Sequence, residues 1–185
     1  MRVVGGALRG RRLIAPQGCA TRPTSDRARQ TLFDVLTHAP WGGRTLLEGA
    51  DVLDAFAGTG ALAIEALSRG AAEAVLFETD ARALAAIRRN LAALGLVGRA
   101  RVLRADATRP PQAERPVRLV FLDPPYANEL VERAAAALAA QGWIGAGTVL
   151  ATETDAAEEI ALEGFVLLDD RRVGRARMRV FRGEG

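Results

Sequence analysis

The chain of 185 residues has no lysine, one cysteine and one histidine. A single cysteine, Cys19, excludes an internal disulfide framework and a zinc site built from several cysteines. A single histidine, His38, argues against a histidine-based catalytic triad or metal cluster, so we expect no metal. No apolar run reaches the length of a membrane span or a signal peptide. We therefore expect a cytoplasmic protein without a membrane partner.

Positive charge is concentrated at both ends of the chain, although the net charge is only +3. Residues 1–30 carry a net charge of +6 and residues 171–185 carry +5, whereas residues 31–170 carry −8. Codon bias would favour arginine over lysine everywhere, but it does not explain this clustering. Guanidinium groups bind phosphate in a bidentate way and stack on bases. The pattern favours a nucleic-acid partner that docks at the basic ends of an acidic body.

From about residue 50, strand-like apolar segments alternate with helix-like segments. The predicted strands are 51–56, 74–78, 101–104, 117–122, 148–152, 165–168 and 178–181, and the predicted helices are 60–69, 81–94 and 129–140. Before them, short strands in residues 2–15 and a helix over residues 24–37 are predicted. This alternation predicts an α/β domain with a mainly parallel sheet. Ligands of such sheets bind where the strands end, so the residues that follow each strand are the candidate site.

A glycine-rich turn, Gly58-Thr59-Gly60, follows the first of these strands. Glycines at such a turn let the backbone approach a cofactor, and the string also fits a dinucleotide-binding pattern. However, Asp54 would repel a pyrophosphate bound at the helix N-terminus, which disfavours a dehydrogenase. A carboxylate there suits a ligand that has an ammonium group and no phosphate, such as S-adenosylmethionine.

Two further acids follow the next two strands. Glu78, at the end of the second, is placed to accept hydrogen bonds from both hydroxyls of a ribose. Asp106, after the third, is placed to accept one from the exocyclic amine of adenine. Taken alone, each acid also fits a structural role, as a helix-capping residue or as a charged residue of a loop. Together with Asp54, they favour a site for S-adenosylmethionine.

The most specific motif is Asp123-Pro124-Pro125-Tyr126, which follows the apolar strand 117–122. Two prolines fix the backbone and remove its N–H donors, so their carbonyls are free to accept. Together with the Asp123 carboxylate they match the two hydrogens of an exocyclic amine, and Tyr126 offers a flat face for a flipped-out base. The motif indicates an amine acceptor whose nitrogen attacks a methylsulfonium, with catalysis by positioning and electrostatics.

These motifs resemble the bacterial 16S ribosomal RNA guanine-N2 methyltransferases, the methyltransferase D family of the small subunit. The N-terminal segments Gly5-Gly6, Arg9-Gly10-Arg11-Arg12-Leu13 and residues 21–27 carry the resemblance further, and it extends over residues 2–182. It implies a Rossmann-like, S-adenosylmethionine-dependent methyltransferase fold with a mainly parallel seven-stranded sheet. It also implies an N-terminal RNA-binding extension of hairpin and helix, residues 1–45, and a catalytic domain, residues 46–185.

The resemblance implies a role for each candidate residue. The base-binding residues are Asp123, Pro124, Pro125 and Tyr126. The cofactor-binding residues are Asp54, Phe56, Gly58, Gly60, Glu78, Asp106 and Ala107. The RNA contacts are Arg9, Arg11, Arg12, Arg22 and Arg27. The implied partner is 16S rRNA in the small subunit or an assembly intermediate, and we expect a monomer.

Three alternatives stay open on the sequence. The Asp-Pro-Pro-Tyr motif serves any exocyclic amine, so an adenine- or cytosine-amino methyltransferase of DNA or other RNA is possible on that motif alone. A protein-glutamine methyltransferase would present an amide to the same motif, but the basic ends argue against it. A catalytically silent RNA-binding assembly factor would keep the fold, but the intact Asp123 and Tyr126 argue against silence.

Overall fold

A computed structural model describes residues 1–15, 26–125 and 129–184 of the chain. Its strands β1 to β7 are, in chain order, Asp51–Asp54, Glu73–Glu78, Ala100–Arg104, Leu119–Leu122, Val149–Asp155, Phe165–Val173 and Ala176–Gly183. They form one sheet in the order β3-β2-β1-β4-β5-β7-β6. Strands β1 to β5 pair in parallel, and β7 runs antiparallel to both β5 and β6. The predicted mainly parallel seven-stranded sheet is confirmed, and its closing hairpin makes it mixed.

Helices cover both faces of the sheet. The four α-helices, α1 to α4, are Asp26–His38, Ala61–Ser68, Ala81–Ala93 and Leu130–Ala140, and short 3-10 helices lie at Arg44–Leu46 and Val97–Arg99. One buried cluster joins Phe33 of α1 to Phe121 of β4, whose rings are 5.6 Å apart. The other joins Leu122 of β4 to Leu138 of α4. Side chains of β4 thus alternate between the two clusters, as in any buried strand. None of these described helices is long and apolar enough to cross a membrane.

The N-terminal segment forms a short hairpin-like pairing that contacts α2, in place of the regular short strands that the sequence predicts. Only one antiparallel bridge, Arg2 to Arg12, is present in residues 1–15. The Val4 N–H donates to Glu65 Oε2 at 2.9 Å, and Ser68 Oγ donates to the Gly5 carbonyl at 2.6 Å. Backbone hydrogen bonds also cross the segment, from the Val3 N–H to the Arg11 carbonyl at 2.9 Å and from the Gly10 N–H to the Val3 carbonyl at 2.8 Å. The two arms therefore pair as in a short hairpin, and side chains of α2 bind the backbone of the turn between them.

Candidate functional site

Glu78 organises the turn that follows β1. Its Oε2 accepts from the Gly58 N–H at 2.8 Å, and its Oε1 accepts from the N–H groups of Thr79 at 2.7 Å and Asp80 at 2.9 Å. Gly58 and Gly60 have φ angles of 53° and 77°, which favour glycine. A Cβ on Gly58 would meet no atom within 4 Å, so this backbone borders open space. Hydrogen bonds to Glu78 thus hold the turn, and there is room beside it for a ligand.

Asp54 lies beneath this turn and not on its surface. Its side chain is 1% exposed, and its Oδ2 accepts from the Ala63 N–H at 3.2 Å at the start of α2. Its Oδ1 is buried and has no hydrogen-bond partner among the described residues. Burial, and then the charges of Asp123 and Glu78, raise the pKa of Asp54 to about 7. A positively charged ligand group bound at the turn would favour the ionised form of this carboxyl group, so Asp54 in turn favours the binding of a cation there.

Asp106 caps the loop that follows β3. Its Oδ1 accepts from both the N–H and the Oγ1 of Thr108, each at 2.8 Å. These two hydrogen bonds hold the pKa of Asp106 below its usual value. Next to it Ala107 is buried, whereas Phe56 after β1 is half-buried and packs against the cluster around α4. Asp106 is therefore ionised and oriented, and its contact with an adenine amine stays a prediction.

Asp123, Pro124 and Pro125 leave β4 beside the end of β1. The Ala55 N–H donates to the Phe121 carbonyl at 3.1 Å, so the contact between these two chain segments continues beyond the paired residues. Asp123 is half-buried, Pro124 is buried and Pro125 is exposed. Two neighbouring residues without an N–H thus meet a carboxylate at the edge of the sheet. Tyr126 lies outside the described residues.

Glu153 is a candidate that the sequence analysis missed. Leu122 of β4 pairs with Thr152 of β5, so Asp123 and Glu153 follow a paired couple on adjacent parallel strands. Burial, and then the charge of Asp123, raise the pKa of Glu153 to about 8. The sequence predicts that this strand ends at Thr152, so applying to it the same rule, that candidate residues follow the strands, would have found Glu153. Among the described residues no group of three or more His, Cys, Asp and Glu side chains could hold a metal ion.

The predicted RNA contacts lie at the surface where the structure describes them. Four of these arginines are exposed: Arg9, Arg11, Arg12 and Arg27. Arg11 donates to the Ala93 carbonyl at the end of α3 at 2.9 Å, and Arg22 lies outside the described residues. By contrast Arg29, in the same basic segment, is fully buried and pairs with Asp26 at 2.8 Å. All four arginines thus present their charge to solvent, and Arg11 does so beside the end of α3.

Three of the six arginines in the basic segment at the C-terminus pair with carboxylates of the fold: Arg171, Arg177 and Arg179. Arg177 lies 2.7 Å from both Asp170 and Glu159, and Arg179 is 2% exposed. Arg171 pairs with Asp169 at 2.7 Å. The pairs of Asp170 with Arg177 and Arg179 cross the β6–β7 hairpin, where opposite charges on adjacent strands neutralise each other. The expectation that this segment is a second open docking surface is therefore weakened.

Known proteins resemble the chain over nearly its whole length. A protein-family profile described as "Conserved hypothetical protein 95" matches residues 1–182. The "Ribosomal RNA small subunit methyltransferase D" of Escherichia coli is 40% identical over 156 residues, which cover 84% of this chain and 75% of that protein. Its namesake in Haemophilus influenzae is 31% identical over 186 residues, covering 98% and 93%.

Solved structures share the fold. The Escherichia coli protein yhhF aligns with a TM-score of 0.83 and 34% identity, covering 100% of this chain and 98% of that chain. A ribosomal protein L11 methylase from Lactobacillus delbrueckii aligns with a TM-score of 0.67 at 16% identity, covering 87% and 80%. The fold is therefore the Rossmann-like fold of S-adenosylmethionine-dependent methyltransferases.

Proposed function

Because the chain belongs to the methyltransferase D family of the small ribosomal subunit, we propose that it methylates the N2 amine of one guanine in 16S rRNA, with S-adenosylmethionine as the methyl donor. One observation carries the proposal. Asp123-Pro124-Pro125 leaves β4 directly beside β1, whose end holds Asp54 and the Gly58 turn. Acceptors for an amine thus lie next to a turn that favours a cation.

The residues around the turn fit the cofactor. Its sulfonium and ammonium groups are positive, and three carboxyl groups lie on the edge formed by the ends of β1, β2 and β4: Asp54, Glu78 and Asp123. The open space at Gly58 admits it without a clash. We assign its binding to Asp54, Phe56, Gly58, Gly60, Glu78, Asp106 and Ala107. When bound, it supplies an electrophilic methyl group.

Asp123 and the proline carbonyls prepare the attacking nitrogen. The carboxylate accepts one amine hydrogen and a proline carbonyl accepts the other, which draws the nitrogen towards tetrahedral geometry and frees its lone pair. Asp123 then takes the proton that the nitrogen sheds as the new N–C bond forms and the methyl–sulfur bond breaks. Tyr126 stacks on the base. The chain supplies orientation and electrostatics and forms no covalent bond to the substrate.

We assign the RNA to the N-terminal extension, residues 1–45, and the chemistry to residues 46–185. The exposed guanidinium groups of Arg9, Arg11, Arg12 and Arg27 are not neutralised by a carboxylate in the described residues, so they can bind phosphate. Arg22 belongs to the same segment. The names of the relatives, together with this surface, support ribosomal RNA over DNA or protein glutamine.

A methyl-transfer assay tests the proposal. Small subunits and naked 16S rRNA from a strain that lacks this gene are incubated with the protein and tritiated S-adenosylmethionine, and the modified nucleoside is identified by mass spectrometry. We expect N2-methylguanosine at one site, and no product with the Asp123→Ala variant. N6-methyladenosine or N4-methylcytidine would contradict the base, and label confined to DNA or protein glutamine would contradict the substrate class. If the protein bound the cofactor tightly but gave no methylated product, the result would favour the alternative of a catalytically silent assembly factor.

A further inference from the structure

Glu153 lies on the strand next to Asp123, at the edge where the base is proposed to bind. It follows Thr152, which is the partner of Leu122 on β4. On its other side β5 pairs with β7, where the partner of Glu153 is the buried Met178. Neighbouring strands are about 4.8 Å apart, so two carboxyl groups one step beyond a paired couple are within reach of one planar base. Glu153 is half-buried and so accessible to a ligand.

The side chains of this edge share one face of the sheet. Phe121 and Ala151 pack in the same buried cluster, and Asp123 and Glu153 each lie two residues beyond one of them. Asp54, which pairs with Phe121, is on that face as well, and its buried Oδ1 has no partner among the described residues. The charge of Asp123 affects the pKa of both Asp54 and Glu153, which is consistent with three carboxyls close to one another.

When Asp123 binds the N2 amine of a guanine, two other polar groups on the Watson–Crick edge of that base still need hydrogen-bond partners. These are the N1–H, a donor, and O6, an acceptor. An ionised carboxylate offers acceptors only, whereas a neutral carboxyl group offers a carbonyl acceptor and an O–H donor side by side. A neutral carboxyl group therefore matches N1–H and O6 together.

We propose that Glu153 recognises guanine by accepting a hydrogen bond from N1–H and donating one to O6, beside the amine that Asp123 holds. This inference rests on the proposed function. Adenine and cytosine, with their amines at Asp123, both present a ring nitrogen acceptor where guanine presents N1–H. They lose one of the two hydrogen bonds, so Glu153 selects guanine.

The electrostatics of the edge support a neutral Glu153 at pH 7. Burial and the charge of Asp123 both disfavour a second negative charge there, and they raise the pKa of Glu153 to about 8. In the proposed complex the proton is on Glu153, and Asp123 is the carboxylate that accepts from the amine. The two neighbouring carboxyl groups then bind different parts of the base.

The test compares guanine with 2-aminopurine at the target position of the RNA that the methyl-transfer assay identifies. This analogue keeps the reacting amine but has a ring acceptor at N1 and no O6. We expect the wild-type protein to prefer guanine by roughly tenfold to a hundredfold in kcat/KM, the effect of losing paired polar groups in a buried site. In Glu153→Leu the preference should fall to about threefold or less. In Glu153→Gln it should persist, because the amide also offers one acceptor and one donor.

Two readouts separate the possible failures. Calorimetric titration with S-adenosylmethionine should give affinities within about threefold for all three proteins, which shows that the variants fold. A guanine preference that persists in Glu153→Leu, or that Glu153→Gln loses to the same extent, would overturn the role of Glu153 while methylation of guanine still stands. If the wild-type protein methylates no guanine amine in any substrate, the proposed function fails and this inference fails with it.

Discussion

Asn90 of α3 binds both backbone polar groups of Ile14 with its side-chain amide. Its Oδ1 accepts from the Ile14 N–H at 2.8 Å, and its Nδ2 donates to the Ile14 carbonyl at 3.0 Å. The same Nδ2 also donates to the Thr59 carbonyl at 3.0 Å, within the turn after β1. One buried side chain thus joins the arginine-bearing N-terminal segment to the proposed cofactor turn.

Replacing Asn90 with alanine should destabilise the protein by about 1–2 kcal/mol, because three backbone hydrogen bonds lose their partner, partly compensated by water at the exposed Ile14. Urea unfolding measures this change. The matched control is Arg89→Ala, an exposed position on the same helix, which should change the free energy of unfolding by no more than about 0.5 kcal/mol. Equal stabilities for the two variants would show that Asn90 does not join these segments.

Asp123→Ala should abolish methyl transfer and leave cofactor affinity within a few fold, since in our proposal this carboxylate contacts the amine and not the cofactor. Single-turnover transfer and calorimetric titration measure the two effects separately. Asp123→Asn keeps one carbonyl acceptor but cannot take the proton, so it should also lose most of the activity. If cofactor binding disappears together with transfer, the role assigned to Asp123 is wrong.

The double substitution Arg11→Ala and Arg12→Ala should weaken RNA binding and flatten its salt dependence by roughly two counterions. The slope of the logarithm of the binding constant against the logarithm of salt concentration measures this. Arg101→Ala with Arg115→Ala removes the same charge at the opposite edge of the sheet, where the two arginines pair with Glu114 and Asp51. That control should keep the wild-type slope, and an unchanged slope in the first variant would remove Arg11 and Arg12 from the RNA surface.

Local sequence patterns predict most of the fold because they depend on short-range physics. Alternating strand and helix periodicities, with glycine turns between them, place all seven strands of the sheet and the edge that carries the acids. Periodicity does not show which side chains, distant in sequence, form hydrogen bonds with the backbone of a segment. Side chains of Glu65 and Ser68 in α2 form hydrogen bonds with the backbone of residues 4–8, and on either side of this turn only a short hairpin-like pairing is present.

The sequence predicts which residues form the candidate site better than it predicts how deeply each side chain is buried or what it binds. Glu78 is at the end of its predicted strand, and Asp54 ends β1 two residues before the predicted end. The sequence does not show that Asp54 is buried under the turn or that Glu78 accepts three backbone hydrogen bonds. Glu153 directly follows the predicted strand 148–152, but the sequence does not show that this strand lies next to β4 and brings Glu153 beside Asp123. The pairing of Arg177 with Asp170 depends on the hairpin register, and its pairing with Glu159 depends on the path of the chain before β6. A count of charges predicts neither.

Cofactor affinity should depend on pH through Asp54. Its pKa is raised to about 7, so the carboxyl is largely protonated below that pH in the free protein. A bound sulfonium and ammonium favour the ionised form, so binding at pH 6 must release a proton. We expect the affinity for S-adenosylmethionine to fall by up to about tenfold per pH unit below 7 and to level off above it.

Calorimetric titration at several pH values, in two buffers with different ionisation enthalpies, measures both the affinity and the protons released. Asp54→Asn should bind more weakly at pH 8 but with little pH dependence, because no proton is released there. Asp106→Asn is the control: hydrogen bonds from Thr108 hold the pKa of Asp106 low, so it is ionised throughout and its loss should leave the slope unchanged. The same raised pKa predicts that free wild-type protein loses stability relative to Asp54→Asn as the pH rises from about 4 through about 7, since the folded state binds the proton more tightly than the unfolded chain. A pH slope that survives in Asp54→Asn would assign the titration to another group of the site.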